Sequence, residues 1–441
     1  MLRPRLTGDA KQLIQAASGQ TVADYFLNLS PHERSRKWLR AGNRYRLSCS
    51  QRYKQDSDDG VVDHNQMIHY ISASSPAHAI DGWSLLGRGI DAALRRDTYS
   101  AVHFAYYAEL RAAMALLASE GIGILDNRHP VIKSNKSTEC LPRMQFWDAK
   151  RKKFDSRPAS THAVVGPCLR HWATLKRAMT LFDKVVRPGN IQLSEWLSAC
   201  NAGFRARAVA HNWLNAWGLD LSDIEEDREA RNLASYRPSQ FRLPRPLDVG
   251  EIVGFVQTLW RMFEPGPAGR FAAIERHLLR RALRSSSAAP TDAMLSQLGL
   301  MPFEIKEWME FLSGPEDLTP LRYAEETSAI DSSDCHIRVL SRAALLLYVA
   351  TSAAGNLLRS AGYSREALAF WWEKCGDTHG LWHADALMQD ARDAWADIDA
   401  ALEDTAEHGA KGLFDLWDQE KSHALHTLGA WELVAIWGLT A

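Results

Sequence analysis

The chain has 441 residues, of which 46% are apolar and 24% charged, with 16 Trp, 14 Phe and 11 Tyr. That is ordinary for a globular protein with aromatic area to spare for a core, and it excludes long-range disorder. The net charge of -1 leaves no whole-molecule attraction for a polyanion, so any nucleic-acid site has to be local.

The charge is unevenly placed. Between Arg143 and Arg187 eleven Lys and Arg, among them Lys150, Arg151, Lys152 and Lys153, face only Asp148, Asp155 and Asp183. From Asp377 onward thirteen Asp and Glu face three Lys and Arg. Such runs are more often solvated faces than binding sites. The six cysteines are scattered, with no C-x-x-C pair, which fits reduced thiols better than a disulfide framework or a zinc ribbon. The first residues lack the apolar run of a signal peptide, and the stretch Ala343 to Ala354 is too short to span a bilayer. A soluble, cytoplasmic protein without a membrane partner is expected, with 343–354 as a buried core helix.

In chain order, 55–60 reads as a surface loop. Asp97, Thr98 and Ser100 offer caps for a helix over 101–119, which contains no Gly or Pro and is stopped by Gly121. Tyr106, Leu110, Ala113, Met114 and Leu117 share its apolar face, and His103, Tyr107 and Arg111 form a polar-aromatic stripe beside it. Two short hairpins follow, one pairing 122–125 with 130–132, the other 144–147 with 153–154. Helical patterns resume at 163–185, 193–217 and 221–235, break at the Pro-rich 242–246, and continue over 248–264 and an Arg-studded 268–284. Ser285 to Pro290 reads as a linker before a helical, acidic remainder over 291–441. There is no fixed-period repeat.

The densest chemistry lies in Arg231-Asn232-Leu233-Ala234-Ser235-Tyr236-Arg237-Pro238, after an acidic helix-forming run. A guanidinium, an amide and a phenol in so short a segment suit a phosphodiester, and equally suit a helix end. By contrast Cys375, His379 and His383 have zinc-ligand spacing on a helix, but Gly376 and Gly380 argue against one there, so no metal is expected. No phosphate-binding P-loop, Rossmann fingerprint or nucleophile elbow is present, and no cofactor is expected.

The segment 101–111 resembles an early helix of HEPN-fold proteins. Arg231 to Tyr236 resembles that family's signature, an Arg, often a polar residue, and a His a few positions later. The resemblance covers about 75–240. It implies a mainly α fold: a HEPN-like bundle over 75–284 with a hairpin insertion near 121–157, after an N-terminal segment over 1–74 and before a C-terminal helical domain over 291–441. It also implies a homodimer and a metal-independent ribonuclease of bacterial phage-defence or toxin–antitoxin type. Arg231 would hold the scissile phosphate, Asn232 would position it and Tyr236 would bond or stack. His103, Tyr107, Arg111, Lys150, Arg151, Lys152, Lys153 and Arg237 would contact RNA. The chain departs from the signature at Tyr236, where the family has His. A phenol with an ordinary pKa of about 10 is a poor base at neutral pH. The alternative is a catalytically silent HEPN-like scaffold that binds a partner protein from the same operon.

Overall fold

The computed structural model describes residues 4–29, 38–202, 210–237, 247–266, 271–314, 318–326, 334–363, 391–407 and 431–440. These are mainly helical, as the sequence leads one to expect. Helices α1 (Gly8–Gln15), α2 (Gly19–Leu27) and α3 (Cys49–Asp58) precede the two longest neighbours in sequence, α4 (His64–Leu94) and α5 (Thr98–Ser119). Strands β1 (Pro130–Ile132), β2 (Thr138–Cys140), β3 (Met144–Asp148) and β4 (Lys153–Arg157) come next. Then follow α6 (Thr161–Trp172), α7 (Lys176–Val185), α8 (Leu193–Ala199), α9 (Ala210–Ala216) and α10 (Asp223–Tyr236). The described remainder comprises α11 (Val249–Met262), α12 (Ala272–Ser285), α13 (Asp292–Ser296), α14 (Pro302–Ser313), α15 (Thr319–Glu325), α16 (Cys335–Ser360), α17 (Ala391–Glu407) and α18 (Glu432–Thr440).

The centre of the molecule is a three-helix packing of α4, α5 and α16. Asp63 starts α4 by accepting a hydrogen bond from the Gln66 backbone N–H (3.1 Å), and Asp97 starts α5 in the same way through Ser100 (3.1 Å). Gly82 and Gly89 lie where α4 meets its two partners. A Cβ at Gly89 would stand 3.0 Å from Leu340 of α16 and 3.4 Å from the Ala105 nitrogen of α5. Across the same seam the Trp83 indole N–H donates to the Thr351 hydroxyl (2.8 Å), satisfying a polar group deep in the core. Helix α16 is long and apolar enough to cross a membrane, yet 94% of its most apolar window is buried inside the protein. It is a core helix, and the 343–354 stretch lies within it.

One hydrophobic core extends from Ala10 to Leu439. Helix α4 runs unbroken through positions 74 and 75, and α16, from the 291–441 remainder, packs at the centre of the bundle. An apolar helix such as α16 needs cover on every side, and α4, α5, α15 and α18 all pack on it.

Of the two hairpins, the second is as expected, β3 pairing with β4 antiparallel from Met144↔Arg157 to Asp148↔Lys153. The first is different. Strand β1 pairs chiefly with β2, and the 122–125 segment meets it through the single bridge Ile122↔Val131. Gly121 ends α5 in the left-handed region (φ 83°), where a Cβ would also press within 2.9 Å of the Ser18 carbonyl. The helix expected over 163–185 is broken between Trp172 and Lys176. Of the 193–217 helix, α8 and α9 lie within the described residues.

Candidate functional site

Helix α10 brings the Arg231 segment onto α5 and α6. It is fastened to α6 by a two-pronged pair, Arg170 donating to both carboxylate oxygens of Glu225 (2.6 and 2.7 Å). It is seated on α5 through a small apolar cluster of Val102, Ala230, Ala234 and Cys335. Below that cluster lies a buried ionic group. Arg342 of α16 donates through Nε to Asp227 (2.8 Å) and through Nη2 to its other oxygen, with Asp223 at 4.0 Å. Glu109 is buried in the same electrostatic neighbourhood.

Arg231 is 5% exposed. Its guanidinium lies over two rings of α5, 5.0 Å from Tyr106 and 5.3 Å from Tyr107. Its Nε has no hydrogen-bond partner. Asn232 is half-buried, while Tyr236 is 74% exposed and Arg237 is exposed, so the four do not converge on one surface point. The α5 stripe divides too. His103 bonds through Nδ1 to the Ser235 hydroxyl (2.7 Å), whereas Arg111 donates to Nδ1 of His78 (3.0 Å). Tyr107 stands between them, its ring 4.9 Å from that of His103.

Lys150, Arg151, Lys152 and Lys153 are exposed at the tip of the β3–β4 hairpin. Asp148 shapes that tip by accepting from the Lys150 and Arg151 backbone N–H groups (2.9 and 3.1 Å). Part of the positive charge is met locally, with Arg151 3.6 Å and Lys153 3.8 Å from Asp155. Of the arginines of 268–284, Arg276, Arg280 and Arg281 are absorbed into packing, whereas Arg284 is exposed. Arg276 lies over Trp308 and Phe311 (4.7 and 4.5 Å), and Arg280 lies over Phe311 (4.7 Å). The Cys375, His379, His383 spacing falls outside the described residues. Among the described residues no cluster of three or more His, Cys, Asp or Glu could hold a metal.

Two histidines that the spacing of the chain did not single out are placed at this site. His162, at the start of α6, bonds through Nδ1 to the Tyr106 hydroxyl (2.9 Å). Burial, then the charges of Arg231 and Arg228, hold its imidazole below its usual pKa. His103 is lowered by burial and then by Arg231. His78, on α4, is lowered chiefly by burial, against the pull of Asp81. The only available signal was an isolated His on a helix, which by itself says little.

Tyr107, Arg111, His78 and His162 share a cavity of about 620 Å³ with Tyr70 and Cys49. Ile71, Leu110, Met114 and Leu125 give it apolar walls, and exposed Ser48, Gln51 and Asp126 stand at its rim. Arg231 does not line it, but stacks against Tyr107, which does. Burial pushes the Cys49 thiol up to about 12, so it is not a ready nucleophile. No protein-family model, curated protein or solved structure matches the chain.

Proposed function

We propose that this chain is a catalytically silent, HEPN-like helical binding protein that serves as a scaffold for a partner in a bacterial defence or toxin–antitoxin system. The observation that carries the reading is the position of Arg231, buried against Tyr106 and Tyr107 and separated from exposed Tyr236. A ribonuclease of the expected kind needs that guanidinium at the scissile phosphate, where it stabilises developing charge. Here it packs between helices instead. Tyr236 in place of an imidazole points the same way. The resemblance adds a homodimer as the working form.

One arrangement favours the second reading, a metal-independent endoribonuclease acting on RNA. His103 and His162 lie close enough to Arg231 for its charge to lower both imidazoles, which suits them to accept a proton at neutral pH. Incubation of the purified protein with total RNA in EDTA, beside Arg231→Ala, separates the two. Intact RNA with both forms is expected, together with equal growth of cells expressing either. Cleavage by the unaltered protein that disappears in Arg231→Ala would overturn the scaffold reading in favour of the nuclease.

A further inference from the structure

The cavity beside Arg111 has the make-up of a ligand site, and it stands apart from the question of RNA cleavage. Its volume, about 620 Å³, lies within the range of pockets that enclose small organic molecules. Its polar groups are few and specific. Arg111 donates to Nδ1 of His78 at 3.0 Å, so His78 accepts and is neutral in that contact. Arg111 is thus the one cation among the described lining side chains in this state. Asp81 stands 3.7 Å from Arg111 and is 53% exposed, a loose partner that a bound carboxylate can replace. Asp126 at the rim adds a second negative charge.

Arg111 offers a single cation to a ligand, and Asp81 and Asp126 oppose any negative charge beyond the one it pairs with, so a dianion is disfavoured relative to a monoanion. The walls are aromatic, with the Tyr107 and His162 rings edge to face at 5.8 Å and Tyr70 in the same lining. We infer that this cavity binds a small, flat aromatic monocarboxylic acid, its carboxylate on Arg111 and its ring against Tyr107 and His162. His78 adds no second cation, since burial lowers its pKa first and Arg111 lowers it further, against the pull of Asp81.

The test is calorimetry and saturation-transfer NMR on the full chain with phenylacetate, indole-3-acetate and 2-naphthoate. Indole-3-acetamide serves as the uncharged isostere and adenosine monophosphate as the dianion. At least one of the acids is expected to bind, more tightly than the amide and the dianion. Arg111→Met should weaken that acid by about tenfold or more, the scale of a lost charge-assisted hydrogen bond. Arg111→Lys should recover part of the affinity, and Lys150→Ala should leave it unchanged. Unaltered melting temperatures would show that the Arg111 variants fold. The inference is overturned if no acid binds at millimolar concentration, if acid and amide bind alike, if the dianion binds best, or if folded Arg111→Met retains full affinity. RNA cleavage is not read in this experiment, so its outcome and that of the scaffold reading are distinguishable.

Discussion

Arg342 and Asp227, 115 residues apart in the chain, meet as a two-pronged ion pair in which neither side chain reaches solvent (1% and 0% exposed). The pair joins α16 to α10, and so ties the core helix to the helix that carries Arg231. Removing one partner leaves a buried charge without compensation, which typically costs about 3–5 kcal/mol. Asp227→Ala should therefore lower the urea midpoint sharply. The double variant Asp227→Leu with Arg342→Met removes both charges and should recover most of the loss. A double variant no more stable than the single one would mean that the pair is not what the site requires.

The same group predicts a pH dependence. Burial first raises the Asp223 carboxyl, Arg342 pulls it back, and the neighbouring Asp227 charge raises it again, leaving it at about 6 against an ordinary 3.8. Glu109 is also raised well above its usual range, by burial and then by Asp227. A raised carboxyl holds its proton in the folded state where the unfolded chain has released it. For Asp223 the resulting stabilisation is full below about 3.8 and is lost as the pH rises through about 6. Asp223→Asn should flatten the decline in stability across that window, and adding Glu109→Gln should flatten it further. Urea titrations at a series of pH values check this. An identical slope in the variants would remove Asp223 and Glu109 as its source.

Arg231 should behave as a packing residue. Replacing it with Ala removes its contact with both the Tyr106 and Tyr107 rings and leaves α10 short of a filled seam on α5. The expected cost is about 1–3 kcal/mol. Arg231→Lys should cost nearly as much, because an ammonium lacks the planar face that stacks on a ring. Thermal melts of the three forms decide it. Equal stability of all three would leave Arg231 free of a structural role, and the phosphate-holding role would then have the stronger claim.

What could be read from the sequence was whatever depends on near neighbours. Asp97 and Gly121 bound α5 because capping and left-handed turns are set within a few residues. The β3–β4 hairpin was legible for the same reason, its partners lying a short turn apart. The fate of Arg231 was not, since the rings that hold it lie more than a hundred positions earlier and no spacing encodes that meeting. Nor does proline mark every helix end in this chain. Pro76 and Pro167 sit inside α4 and α6, whereas the chain breaks after Trp172 without a proline, where the Ala173 carbonyl accepts from the His211 backbone N–H (3.1 Å). Tertiary contacts, not local propensity, fix that break.

The tightest approach of a glycine to neighbouring backbone among the described residues gives the last prediction. Gly355 of α16 faces Gly438 of α18, and a Cβ at Gly355 would fall 2.5 Å from the Gly438 carbonyl oxygen. That neighbour is backbone and cannot rotate away, so one of the two helices has to shift. On the other side, a Cβ at Gly438 would fall 2.6 Å from the Thr351 methyl, and Thr351 is the group that accepts from Trp83. Displacing α18 therefore disturbs the α4–α16 seam as well as its own. In an ordinary exposed helix, Gly→Ala stabilises by about 0.5–1 kcal/mol. Here Gly355→Ala should destabilise, by about 1–3 kcal/mol, the range of overpacked cores. Gly8→Ala, at the start of α1 with open space around it, should not destabilise. Parallel urea denaturation of the two variants tests the contrast, and a stabilised Gly355→Ala would mean that α16 and α18 do not approach as closely as described.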